Sequence, residues 1–175
     1  MLNYFELYGL PVSFHPDAAM VKSKFYELSR KYHPDRFANA DEASRFESLQ
    51  MSALNNDAYK TLNNADAVMA YILKLHGLLQ DEEKYNLPAA FLMEMMDLNE
   101  AITDAEMGDD ENSRTLAKNT LDEQLAAWNE AAGKLTAQYD AGDHSEALLL
   151  GIKDYYFRKK YLLRIQERID RFAAH

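Results

Sequence analysis

The tripeptide His-Pro-Asp occurs twice in this chain, at His15-Pro16-Asp17 and at His33-Pro34-Asp35. A histidine and an aspartate two residues apart are types that move protons in acid–base catalysis, and the proline between them stiffens the backbone. No nucleophile, Gly-rich phosphate loop or second titratable cluster accompanies either copy, so no catalytic activity is expected. Metal chemistry finds no better support. Glu94, Asp97, Glu100 and Asp104 share one segment, but no histidine follows any of them by three residues, as a di-metal carboxylate bundle requires. Asp109-Asp110-Glu111-Asn112 lacks the spacing and central glycine of a calcium loop. His15, His33, His76, His144 and His175 show no paired ligand spacing. The chain has no cysteine, which excludes disulfides, thiolate zinc sites and a thiol nucleophile. No metal and no cofactor is therefore expected.

What the two copies do must come from their surroundings. Helical periodicity runs through almost the whole chain and no segment alternates long enough for a strand, so the fold class is all-α. Only 6 Gly and 4 Pro among 175 residues agree with that. The first copy falls where a helix begins: Ser13 offers a cap, Pro16 suits the first helical position, and Asp17 suits the positive end of the dipole. Capping explains it fully. The second copy follows a helix that runs to about Tyr32, with Val21, Phe25, Leu28 and Tyr32 on its apolar stripe and Lys22, Lys24, Arg30 and Lys31 off it. Pro34 ends that helix, a loop follows, and no capping need accounts for His33, Pro34 and Asp35 together.

From Asp41 a second long helix carries Phe46, Leu49, Ala53, Leu54, Ala58 and Leu62 as its expected apolar positions, and a further helix spans 65–75. Residues 77–87 read as a polar linker. Three helices are expected beyond it, at about 88–107, 112–139 and 144–172, and their short connections predict a three-helix bundle. Charge divides the chain in the same place. Residues 1–76 carry 8 basic and 9 acidic side chains and residues 77–175 carry 11 and 20, which opposes a nucleic-acid footprint. The longest apolar run, 67–73, is far shorter than the roughly 18 residues of a bilayer span. The amino terminus has neither a signal nor a transit pattern, so a cytoplasmic, unprocessed protein without membrane contact is expected.

Tyr4-Phe5-Glu6-Leu7-Tyr8-Gly9-Leu10-Pro11, the basic helix, Tyr32-His33-Pro34-Asp35-Arg36-Phe37, and Asn56-Asp57-Ala58-Tyr59-Lys60-Thr61-Leu62 together resemble a J-domain in order, spacing and flanks. The match extends further. Ala70-Tyr71-Ile72-Leu73-Lys74-Leu75-His76-Gly77, then Ala90-Phe91-Leu92-Met93-Glu94 and an acidic helix, resemble the HscB type, the J-proteins of iron–sulfur cluster assembly. The last helix, basic and aromatic around Tyr155-Tyr156-Phe157, departs most from that pattern, and without cysteine the zinc module of some relatives is not expected.

The resemblance implies a helical-hairpin J-domain (1–76), a linker (77–87) and a carboxy-terminal three-helix client-binding bundle (88–175) in an L shape. It also implies a co-chaperone that binds an iron–sulfur scaffold protein, delivers it to a DnaK/HscA-type chaperone and stimulates that chaperone's ATP hydrolysis. The alternative is a J-domain co-chaperone for a different client. His33, Pro34 and Asp35 would be the trigger, with Lys22, Lys24, Arg30, Lys31 and Arg36 steering the encounter. Phe91, Met95, Leu98 and Ile102 form the core stripe of the helix from Pro88. From spacing alone Leu92, Met93 and Met96 read as further core. The resemblance instead assigns Leu92, Met93, Met96, Asp97, Glu100 and Asp104 to client contact, joined by Tyr156 or, as the alternative, Phe157.

Overall fold

The structure, a computed structural model, describes residues 2–108 and 110–173. Asp109 and His175, weighed above as metal ligands, lie outside them. Within the described residues the chain is all-α and divides into two units, 1–77 and 78–175.

In the first unit, α1 (Tyr4–Tyr8) starts on a reciprocal cap: Asn3 Oδ1 accepts the Glu6 N–H, and the Glu6 carboxylate accepts the Asn3 N–H. Gly9, at φ 64°, ends it in the left-handed region that a side chain would disfavour. Helix α2 (Ala18–Lys31) is capped by Asp17, whose carboxylate accepts the Met20 N–H at 2.9 Å. Pro16 therefore sits before the cap rather than at the first helical position, and the acid of the first tripeptide is the cap itself. Helix α3 (Glu42–Leu62) returns alongside α2, and α4 (Ala65–Leu75) packs on α3. Phe5, Tyr8, Val21, Ala58, Leu62, Val68, Ile72 and Leu73 are buried; a fully buried side chain of this size contributes roughly 1.5–3 kcal/mol.

The hairpin is clamped by polar groups. Asn55, 1% exposed on α3, donates from Nδ2 to the Phe25 carbonyl and to Ser29 Oγ, and its Oδ1 accepts the Tyr8 hydroxyl at 2.8 Å. Ser48 Oγ donates to the Tyr32 carbonyl. Burial pushes the Tyr8 phenol well above its ordinary pKa, so it is a neutral donor here. Because Ser48 and Asn55 take the inward positions, the buried line of α3 is Ser48, Asn55, Ala58 and Leu62. Of the six expected apolar positions, Ala58 and Leu62 are buried and Leu54 is half-buried, whereas Phe46, Leu49 and Ala53 are exposed on the opposite face.

In the second unit the expected helix at 88–107 is two: α5 (Ala89–Glu94) and α6 (Met96–Met107), interrupted at Met95. Just beyond the interruption Asn99 makes the ordinary helical bond from its backbone N–H to the Met95 carbonyl, its Nδ2 donates to the same carbonyl, and Nδ2 also reaches the Tyr161 hydroxyl at 2.7 Å. Helices α7 (Glu111–Asp140) and α8 (Glu146–Ala173) complete the bundle. Asn99 meets Tyr161 and Glu106 meets Arg168, so α6 and α8 run parallel with α7 packed on both. Phe91, Met95, Leu98 and Ile102 are all buried, as expected. Trp128 on α7 donates its indole N–H to the Tyr155 carbonyl at 2.7 Å and carries the Lys159 ammonium over its ring.

The segment expected as a linker is seated on α8. Tyr85 stacks on Phe157 with centroids 4.4 Å apart, its hydroxyl donates to Asp154 at 2.8 Å, and Glu83 pairs with Lys153. Burial, then the Asp154 bond and charge, push the Tyr85 phenol up to about 12.

Candidate functional site

Residue 33 must be extended because proline follows it, and His33 has φ −63° and ψ 131°. Where a loop was expected, Pro34–Phe37 form one 3₁₀ turn with proline in its first turn and His33 as the cap. The His33 Nδ1 accepts the Asp35 N–H at 3.3 Å, and its carbonyl accepts the Arg36 N–H at 3.0 Å. With Nδ1 used as an acceptor, the neutral imidazole carries its proton on Nε2 and offers it outward. The Asp35 side chain is 91% exposed. The turn is thus held by its own histidine and packs on α3, while its imidazole edge and carboxylate are available to a partner.

The five cations expected around this turn fall into two groups. At roughly 100° per residue, Lys22, Tyr26 and Arg30 run along the outer face of α2, about 100–180° around from the buried Val21, and Lys24 and Lys31 lie about 140–160° around from Tyr26. Tyr26, Ser29, Arg30, His33 and Arg36 line one shallow groove. On the other flank Lys24 bonds Glu27 at 2.9 Å, which lowers the Glu27 pKa, and Lys31 lies over the Tyr32 ring. Sequence reasoning missed Tyr26, which is 51% exposed. Its signal was present: it stands four residues after Lys22 and four before Arg30, on their helical face.

On the second unit, Leu92, Met93 and Met96 are 43%, 69% and 63% exposed, and Asp97, Glu100 and Asp104 are exposed beside them. They are not bundle core. Burying Phe91, Met95, Leu98 and Ile102 at helical spacing turns this neighbouring stripe outward. Arg158 braces the base of the strip, bonded to Asp154 and stacked over both Phe91 and Tyr155.

Tyr156 does not join that strip. The seam between α8 and α6 is marked by Tyr161 and Arg168, and Tyr156 lies about 140° around the helix from Tyr161. Phe157 is only about 40° from it and so faces the α5–α6 side, but it is 7% exposed under Tyr85. Neither aromatic presents a free ring there. Residue-by-residue matching along an atypical helix did not register this difference of one position, which moves a side chain by about 100°. Among the described residues no group of three metal-ligating side chains converges, and no helix is long and apolar enough to cross a membrane.

A helical hairpin carrying an exposed His-Pro-Asp turn, followed by a helical bundle, is the architecture of a J-domain co-chaperone. A family model described as the HSCB C-terminal oligomerisation domain matches residues 87–170. A co-chaperone protein HscB homolog of Shewanella oneidensis is 34% identical over 172 residues, covering 97% of this chain and 96% of the relative. One of Vibrio vulnificus is 35% identical over 146 residues, covering 83% and 80%. Among solved structures, the chaperone HscB from Vibrio cholerae superposes with a TM-score of 0.73 at 28% identity over 98% of each chain. The human co-chaperone protein HscB superposes at 0.76 and 26% identity, over 96% of this chain and 80% of that one. The chain belongs to the HscB co-chaperone family.

Proposed function

We propose that this chain captures an iron–sulfur scaffold protein on the α5–α6 face, brings it to a DnaK/HscA-type chaperone and stimulates that chaperone's ATP hydrolysis through the His33-Pro34-Asp35 turn. The observation that carries the reading is the turn: it is braced by its own side chain, exposed, and its His33 and Arg36 share a groove with Tyr26 and Arg30 of α2, with Lys22 one helical turn before Tyr26. A short stiff turn loses little freedom on docking, and the cations beside it favour an acidic partner surface. The second face supports the client half of the reading, because exposed leucine and methionine rimmed by carboxylates form an apolar centre with a polar edge. The protein itself has no catalytic role in this scheme and works in the cytoplasm.

The test is single-turnover ATP hydrolysis by an HscA-type chaperone. Adding the chain should accelerate turnover, adding the scaffold should accelerate it further, and the chain alone should turn over no ATP. Stimulation that is unaffected by the iron–sulfur scaffold but raised by another client would favour the alternative, a J-domain co-chaperone for a different client.

A further inference from the structure

Two of the three apolar residues on the α5–α6 face are thioethers, and they are among the most exposed large apolar side chains of the molecule. Met95, between them in sequence, is fully buried. An exposed methionine sulfur reacts with a peroxide without any help from the protein; a buried one is shielded by its packing. We infer that Met93 and Met96 form a peroxide-sensitive modification site and that their oxidation disables client capture. The inference rests on the client reading of this face.

The chemistry balances. The sulfur lone pair attacks one peroxide oxygen, an S–O bond forms as the O–O bond breaks, and the departing hydroxide takes the remaining proton. The products are one sulfoxide and one water; the thioether is oxidised by two electrons and hydrogen peroxide is reduced by two. The product matters because of where it sits. A methionine at an interface contributes soft apolar area, whereas its sulfoxide carries a strongly polar oxygen that a partner's apolar surface cannot hydrogen-bond. Burying that oxygen unpaired weakens binding by about tenfold per site, the usual order for an unsatisfied polar group. Asp97, Glu100 and Asp104 are acceptors only and offer it no donor. Leu92, in the same face, is inert to peroxide and cannot buffer the loss.

The test uses the full chain and hydrogen peroxide, with peptide mass spectrometry and calorimetric titration of the iron–sulfur scaffold. Met93 and Met96 should become sulfoxides well before Met69 and Met95, which are 6% and 0% exposed. Scaffold affinity should fall by at least about tenfold, and methionine sulfoxide reductases should restore it. The double variant M93L/M96L, compared with its own untreated affinity, should show no further loss on peroxide. The variant M20L, changed at an exposed methionine of α2 outside this face, should lose affinity as the parent does. If untreated protein binds the scaffold and fully oxidised protein binds equally well, the inference is overturned and the client reading stands. If M93L/M96L still loses affinity on peroxide, another residue is the sensitive one and the site is misassigned. If untreated protein does not bind at all, the client reading falls and takes the inference with it.

Discussion

Reversing the charge of Lys22 and Arg30 should slow docking on the chaperone ATPase far more than reversing Lys24 and Lys31, although both changes alter the net charge equally. A unit pair about 6 Å apart in water interacts by about 0.7 kcal/mol, and a screening length of about 8 Å halves it. Reversal converts an attraction into a repulsion and doubles the difference. Each residue then contributes roughly threefold to association, and the pair roughly tenfold. Lys24 and Lys31 sit on the far flank of α2, and the helix is about 10–12 Å across. At about 12 Å the same arithmetic leaves under about twofold for both together. Lys24 is also engaged with Glu27, so its reversal first creates a repulsion within its own helix. The assay is stopped-flow association of full-length K22E/R30E and K24E/K31E with the chaperone over a salt series. The first variant should flatten the salt dependence and the second should retain it. Equal losses from the two variants would refute the division of α2 into a docking flank and a remote flank, and a parent rate independent of salt would mean that docking is apolar.

Further expectations concern the two tripeptides, the client face and the folded state. His33→Gln should abolish stimulation of ATP hydrolysis with an unchanged circular dichroism spectrum, while His15→Gln leaves stimulation intact, because the first copy serves the cap of α2 through Asp17. The double variant L92A/M96A should weaken scaffold binding by ~2 kcal/mol or more in calorimetry, and because both side chains are exposed its melting temperature should stay close to the parent's. Asn55→Ala should destabilise the first unit by about 3 kcal/mol in urea titration, through the loss of one buried and two part-buried hydrogen bonds and the cavity left behind. Bonds from Lys153, then from the Gln80 N–H, hold the Glu83 carboxyl below its usual pKa. Its contribution to stability is therefore full above the ordinary carboxylate range and is lost as pH falls through the depressed value; Glu83→Gln should shallow that acid limb in melts recorded against pH.

Helix existence was legible because apolar spacing acts locally, whereas the start of α2 was read one step early, with Ser13 as the cap that Asp17 in fact provides. The Ala65–Leu75 helix was expected with those bounds, and the core stripe Phe91, Met95, Leu98 and Ile102 is buried as the spacing implied. The failures share one physical cause, side chains whose role depends on a distant element. Phe46 and Leu49 looked like core, but Ser48 and Asn55 face inward because α2 offers them a hydroxyl and carbonyls. Residues 78–87 looked like a tether because nothing local reveals that Tyr85 will find Phe157 and Asp154 about seventy residues later. The break at Met95 had no local signal, since neither glycine nor proline stands between Ala89 and Met107. In the candidate site, residue types were readable at His33, Leu92 and Met96, whereas the division of the cations and the place of Tyr156 needed the helix phase that packing sets.

Trp128 gives the molecule a built-in reporter. It is the chain's single tryptophan, it lies in the second unit at 9% exposure, and its indole is held by a carbonyl on one side and an ammonium over its face. Emission excited at the red edge, where tyrosine does not absorb, therefore responds to loosening of α7 from α8 and is blind to the first unit. Circular dichroism sees the helices of both. Recorded together during denaturation, the two signals divide the unfolding of one chain into its parts without a label: coincident curves mean that the units melt as one, and separated curves give each unit its own midpoint.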